Sequence, residues 1–212
     1  MKAIIFAGAQ INEYSFCKKH LDEECLIVCC DSGLRHVEAL EIEPDAIVGD
    51  FDSVDLGLLN VYKNKGITVS KFPTHKDETD MELGIDKAIE MGADNIVIFG
   101  GIGSRMDHTM ANCHYLLYLL KKGIKAKLVD EKNEIFVIDK ECILLGEKGD
   151  IVSTIPLSME VKGITTQNLE YSLYDATLKL DGKLIAVSNV MVEDRAKITI
   201  KEGYLIVMRC KD

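Results

Sequence analysis

Through the first half of the chain, short apolar and β-branched runs alternate with longer stretches whose apolar positions recur at helical spacing. The runs predict strands over 3–6, 26–30, 46–48, 68–71, 95–99 and 126–129. Between them, 79–91 places Met81, Ile85, Ala88 and Ile89 on one helical face, and Gly92 ends it. Asp77, with Asp80 three residues later, resembles a capping pair at that helix's start. Over 105–122, Met106, Met110, Cys113, Leu117 and Leu120 recur at the same spacing. Lys121 and Lys122 fill the last turn and Gly123 stops it. Strand and helix in alternation are the signature of stacked βαβ units around a mainly parallel sheet.

The texture changes after residue 132. Helical periodicity gives way to short β-branched runs at 135–138, 151–155, 176–180, 184–187, 197–200 and 204–208. Asp181-Gly182 and Glu202-Gly203 are turn signals, and the last two runs read as a hairpin. The expected fold is therefore α/β. A Rossmann-like domain over 1–132 with a mainly parallel sheet precedes an antiparallel β-sandwich over 133–212. So small a sandwich has a marginal core by itself, and docking onto the first domain or onto a second subunit would compensate.

Composition narrows the class. Of 212 residues, 47% are apolar and 28% charged, which argues against disorder. The formal net charge of −10 argues against a nucleic-acid partner, which would need a basic patch. An acidic protein that binds a polyanion must use a metal and a few local cations. The seven cysteines form no C-x-x-C pair and mostly lie in apolar runs, as expected of reduced, buried thiols rather than a disulfide frame or zinc site. MKAIIFAGAQ turns polar too soon for a secretory leader, and no apolar run approaches the ~20 residues of a membrane span. The expectation is a cytoplasmic protein with no membrane partner.

Chemistry enters with six aspartates that follow apolar runs where strands should end: Asp31, Asp50, Asp52, Asp77, Asp80 and Asp107. In an open parallel sheet, ligands bind beyond the carboxyl ends of the strands. Carboxylates gathered there repel one another unless a hard cation joins them, and Mg²⁺ binds through one or two carboxylates, waters and substrate phosphates. Gly49-Asp50-Phe51-Asp52-Ser53 is the most specific local feature. On an extended backbone, carboxylates two residues apart project to one side, although the segment alone equally fits an Asp-rich turn. Lys76-Asp77-Glu78-Thr79-Asp80 offers a cation and carboxylates at a helix N-terminus, where ordinary capping explains Asp77 better than it explains Lys76 or Asp80.

Gly100-Gly101-Ile102-Gly103-Ser104-Arg105-Met106-Asp107-His108-Thr109 is a glycine-rich turn from strand into helix. It exposes backbone N–H groups suited to phosphate, yet fits neither the P-loop nor the dinucleotide-binding pattern. Arg105 opposes the helix dipole and so calls for an anionic partner. His108 either contacts phosphate, relays a proton or is structural.

Together with Asp31-Ser32-Gly33, and with Thr109-x-Ala111-Asn112 and Ser188-Asn189 further on, this set resembles the thiamin pyrophosphokinase family over nearly the whole chain. Ser104 departs from a glycine common there. The resemblance implies an ATP-binding α/β domain, a β-sandwich that binds thiamin, and a homodimer with shared active sites. It implies transfer of a pyrophosphoryl group from ATP to the thiamin hydroxyl with Mg²⁺, releasing AMP. Asp50, Asp52 and Asp80 are then the expected metal ligands, with Asp31, Asp77 and Asp107 near the ion. Lys76 and Arg105 would neutralise phosphate. Asp77 or Asp107 would take the hydroxyl proton, with His108 beside them. Asp31, Ser32, Gly33, Gly100, Gly101, Gly103, Arg105, Ser188 and Asn189 would contact the substrates. The rivals are an Mg²⁺-dependent nucleotide phosphohydrolase, with water as acceptor, and a regulatory module that binds ATP without turning it over.

Overall fold

The protein's computed structural model describes residues 1–22, 24–52, 56–73, 78–182 and 186–211. The chain divides into two compact units, Met1–Glu131 and Lys132–Asp212.

The first unit runs β1 (Lys2–Phe6), α1 (Ser15–Lys18), β2 (Leu26–Cys30), a 3-10 turn (Asp31–Gly33), α2 (Leu34–Leu40) and β3 (Ala46–Gly49). It continues through α3 (Leu56–Asn64), β4 (Thr68–Lys71), α4 (Asp80–Glu90), β5 (Asn95–Phe99), α5 (Met106–Lys121) and β6 (Lys125–Val129). Its strands lie in the order β6-β5-β1-β2-β3-β4, and all the pairings are parallel. Central strands of such a sheet are covered on both faces, which is why they are nearly continuous in apolar residues. Ile4, Phe6, Cys29 and Ile47 point into a core shared with Leu34 and Val37 of α2. On the opposite face, a β-carbon at Gly84 of α4 would lie 2.2 Å from the Cys30 sulfur and 3.6 Å from Ile5, so α4 sits close on the sheet.

Two helical expectations need correction. The N-cap of α4 is Thr79, whose side chain accepts from the Glu82 N–H, and Asp80 is the first helical residue. Thr79-x-x-Glu82 is itself a capping-box pattern. Asp77 lies outside the described residues. In α5 the buried line is Asn112, Leu116 and Leu119, one residue round from the expected stripe, and Met106 and Met110 are each 61% exposed. The Asn112 amide donates to the Gly101 carbonyl at 2.7 Å, which turns that side of α5 inward.

The second unit holds β7 (Asn133–Ile138), β8 (Glu141–Leu145), β9 (Ile151–Pro156) and β10 (Glu160–Gln167). β11 (Ala176–Lys179), β12 (Ala186–Val190), β13 (Arg195–Thr199) and β14 (Leu205–Cys210) complete it. Antiparallel pairing joins β12-β9-β14-β7 and, separately, β11-β10-β13-β8. Val152, Leu205 and Val207 of the first set share a core with Val161, Ile164, Leu178 and Ile198 of the second, which makes a sandwich. The expected hairpin of 197–200 with 204–208 does not form. β13 pairs with β8 and β10, whereas β14 pairs with β7 and β9. Ile198 and Leu205 enter the shared core from opposite sheets, so the Glu202-Gly203 turn is a crossover. β8 and β10 carry no clean alternation and were not expected. Part of the expected strand at 184–187 lies outside the described residues.

Cys17, Cys29 and Cys30 are buried and the other four cysteines half-buried. Among the described residues, no helix is long and apolar enough to cross a membrane.

Candidate active site

Strand order places a crevice where it should be. The chain runs outward from β1 through β2, β3 and β4, then returns to the other side of β1 with β5 and β6. Loops after β1 and β5 therefore diverge, and ligands bind at such a switch point. A cavity of about 610 Å³ opens there. Residues 7–10 after β1 line it, with Cys30 at the end of β2 and Asp31 and Ser32 just beyond. Thr79, Asp80 and Met81 enter from the start of α4, and Gly100, Gly101, Gly103, Ser104 and Arg105 come from the glycine-rich turn. His108, Thr109 and Asn112 of α5 complete the lining.

Asp31, Asp50 and Asp52 each bring a carboxylate oxygen within 4.8 Å of the others. Unscreened charges this close repel strongly, and a hard divalent cation with oxygen preference matches the donor set. Among the described residues this group contains Asp31 rather than the expected Asp80, which instead lines the adjoining cavity. The carboxylates meet through a turn and not along an extended strand. Phe51 is left-handed (φ 62) with its ring buried, and the Asp52 N–H donates to Asp50 Oδ1 at 3.1 Å. Asp31 is also left-handed, at φ 46. Non-glycine residues in this region cost energy and concentrate at functional sites.

The glycine-rich turn is pinned on both sides. Gly100 has φ 64, and a β-carbon there would lie 2.3 Å from the Ala7 carbonyl oxygen, so only glycine fits. The Ala9 N–H donates to the Gly100 carbonyl at 2.9 Å, and the Gly103 N–H donates to Thr109 Oγ1 at 3.2 Å. Arg105 meets its anionic partner in the first turn of α5: its guanidinium donates to Asp107 at 2.7 Å, with both side chains exposed. That hydrogen bond holds the Asp107 carboxyl below the usual carboxylate range and raises the Arg105 guanidinium. Asp107 is absent from the cavity lining, whereas Arg105 and His108 belong to it. Ser32 lines the cavity and Gly33 is buried. Lys76, Asp77 and Ser53 lie outside the described residues.

The loop after β1 lines the cavity without carrying any of the expected site residues. Its signal was the one used elsewhere, a glycine (Gly8) just past an apolar run. His36 and Arg35 of α2 hold it. A carbonyl only accepts, so His36 Nε2 carries the proton it donates to the Ala9 oxygen at 2.9 Å. The neutral ring's Nδ1 then accepts the Tyr14 hydroxyl at 2.8 Å. Burial lowers the His36 pKa, and Arg35 donates to the Gly8 carbonyl.

In the second unit, Ser188 occupies a bulge of β12 with φ 58 and is exposed. Asn189 is buried and committed to backbone: its Oδ1 accepts from the Tyr171 and Val190 N–H groups, and its Nδ2 donates to the Tyr171 carbonyl. Its carboxamide therefore shapes the bulge, while the Ser188 side chain faces outward.

Comparison with known proteins agrees with this layout. Residues 17–128 match the model of the thiamin pyrophosphokinase catalytic domain, and 136–205 match that of the thiamin pyrophosphokinase vitamin B1 binding domain. The chain is 30% identical to thiamine pyrophosphokinase of Bacillus subtilis over 100% of both chains. A crystal structure of the Bacillus subtilis thiamine pyrophosphokinase superposes with TM-score 0.90 at 29% identity, covering 100% of both chains. That of Geobacillus thermodenitrificans thiamin pyrophosphokinase superposes with TM-score 0.86 at 26% identity, over 100% of this chain and 98% of that one. With matching domain models in both units and similarity along its whole length, this chain belongs to the thiamin pyrophosphokinase family.

Proposed function

We propose that the protein transfers the terminal pyrophosphoryl group of ATP to the primary hydroxyl of thiamin, forming thiamin diphosphate and AMP. One observation carries the reading: a carboxylate triad fit for a hard cation stands beside a glycine-rich helix entrance, in a chain whose two halves match the two domains of this family. Asp31, Asp50 and Asp52 would hold Mg²⁺, with Asp80 near it. The ion would neutralise phosphate charge and the charge that develops at the transferring group. Backbone N–H groups of the turn and Arg105 bind phosphate oxygens, joined by Lys76.

In this reading the thiamin hydroxyl attacks the β-phosphorus in line, the bond from that phosphorus to the α,β-bridging oxygen breaks, and AMP departs with the oxygen. Positioning and electrostatics do most of this work. An aspartate, Asp77 or Asp107, takes the hydroxyl proton; the hydrogen bond from Arg105 holds the Asp107 carboxyl below the usual range. The net charge of −10 attracts the cationic thiazolium. Thiamin binds through the second unit, with Ser188 as a contact and Asn189 supporting it. A homodimer with shared sites and a cytoplasmic setting complete the proposal, the latter supported by seven cysteines that form no C-x-x-C pair and lie mostly in apolar runs. Single-turnover assays of ATP with and without thiamin test it. Consumption that needs thiamin supports the transferase, consumption without it the phosphohydrolase, and none under either condition a regulatory module.

A further inference from the structure

The two helices that frame the cavity are tied by a ring of hydrogen bonds that the proposed chemistry has not used. Glu82, in the first turn of α4, donates its N–H to Thr79 Oγ1 at 3.2 Å. The Tyr115 hydroxyl, midway along α5, donates to Glu82 Oε2 at 3.0 Å. Thr79 Oγ1 and Tyr115 Oη lie 3.1 Å apart. Each hydroxyl carries one hydrogen. With Tyr115's committed to Glu82, the Thr79 hydroxyl is the donor to Tyr115. The cycle therefore closes in one direction: Glu82 N–H to Thr79, Thr79 to Tyr115, Tyr115 to the Glu82 carboxylate. Charged acceptors strengthen such bonds, and chained bonds polarise one another.

The ring is placed where it matters. Thr79 and Asp80 line the cavity together with the glycine-rich turn, Arg105 and His108 at the head of α5. Asp80 follows the cap directly, so its direction depends on how Thr79 is held. A tyrosine at this position of α5 is not needed for capping, because Thr79 already caps the helix. What Tyr115 adds is a link between the two helices.

We propose that Tyr115 is a positioning residue, which through Thr79 and Glu82 fixes Asp80 at a set separation from the phosphate-binding turn ahead of α5. The inference rests on the proposed function, since it assumes a metal–nucleotide complex in that cavity. Outer groups that orient the residues around a bound ion, as Tyr115 would orient Asp80 near the triad, are typically worth about 10–100-fold in affinity or activity.

The test is Mn²⁺ titration by electron paramagnetic resonance, with α,β-methylene-ATP present so that no turnover occurs. Tyr115→Phe removes one hydroxyl and keeps the ring's volume. Tyr118→Phe makes the same change on the exposed side of the same helix and serves as control. Tyr115→Phe is expected to weaken Mn²⁺ binding about 10-fold and to raise the KM for Mg·ATP more than that for thiamin. Tyr118→Phe is expected to change neither. A Tyr115→Phe titration that superimposes on the parent's overturns the inference, even if the melting temperature drops, because the hydroxyl would then be only structural. A parent protein that binds no Mn²⁺ with the nucleotide overturns the proposed function itself, and this inference with it.

Discussion

Gly49 packs directly on Asp31: a β-carbon at 49 would lie 3.1 Å from both Cα and Cβ of Asp31. Gly49 also has φ 153, a conformation that L side chains rarely adopt. The glycine thus lets the end of β3, with Asp50 and Asp52 just beyond, approach the end of β2 closely enough to assemble the triad. Gly49→Ala is predicted to lose about 1–3 kcal/mol of stability from backbone strain and to weaken Mn²⁺ binding. Denaturant unfolding and a metal titration check it, and an unchanged titration would separate Gly49 from the metal site.

Asp31→Asn and Asp52→Asn keep side-chain volume and remove charge from the triad. Losing one electrostatic contact made in the transition state typically costs ~10²–10³ in rate. Each variant is predicted to lose at least that in kcat while still folding, as judged by circular dichroism. Near-normal turnover at saturating Mg²⁺ would show that the carboxylates hold no catalytic ion.

Asp107 is paired with Arg105, and that bond holds its carboxyl below the usual range. It is therefore ionised through the pH range where a catalytic base would titrate. Asp107→Asn is predicted to lower the rate less than Asp52→Asn and to leave the acidic limb of the pH–rate profile in place. Disappearance of that limb would identify Asp107 as the base.

His36 is buried and neutral, its pKa lowered by burial from the ordinary 6.5. Between the lowered value and 6.5 the unfolded chain binds more protons than the folded one. Stability from this group is complete above pH 6.5 and falls as pH drops toward the folded-state pKa. The melting temperature is predicted to decline on acidification below that point, with a shallower decline in His36→Gln. Equal slopes in the two proteins would rule out His36 as the source.

The central strands β1, β2, β3 and β5 were legible because their apolar runs are buried on both faces and need no tertiary information. The site was legible for the same reason, since strand ends mark where Asp31, Asp50, Asp52 and the glycine-rich turn must gather. What the pattern could not supply was rotation and pairing. Asn112 turns α5 by one residue because a buried amide seeks the Gly101 carbonyl, a choice that hydrophobic spacing does not encode. β13 and β14 are close in sequence, yet their partners lie far along the chain, and a turn signal such as Glu202-Gly203 serves a crossover as well as a hairpin. Membership of the triad likewise depended on the left-handed turn at Phe51, which brings Asp52 back toward Asp31.

The most direct measurement is chromatography of the products formed from ATP and thiamin with Mg²⁺. The proposed function predicts AMP and thiamin diphosphate appearing in equal amounts, with neither formed when thiamin is omitted. ADP with thiamin monophosphate, or nucleotide hydrolysis indifferent to thiamin, would contradict it.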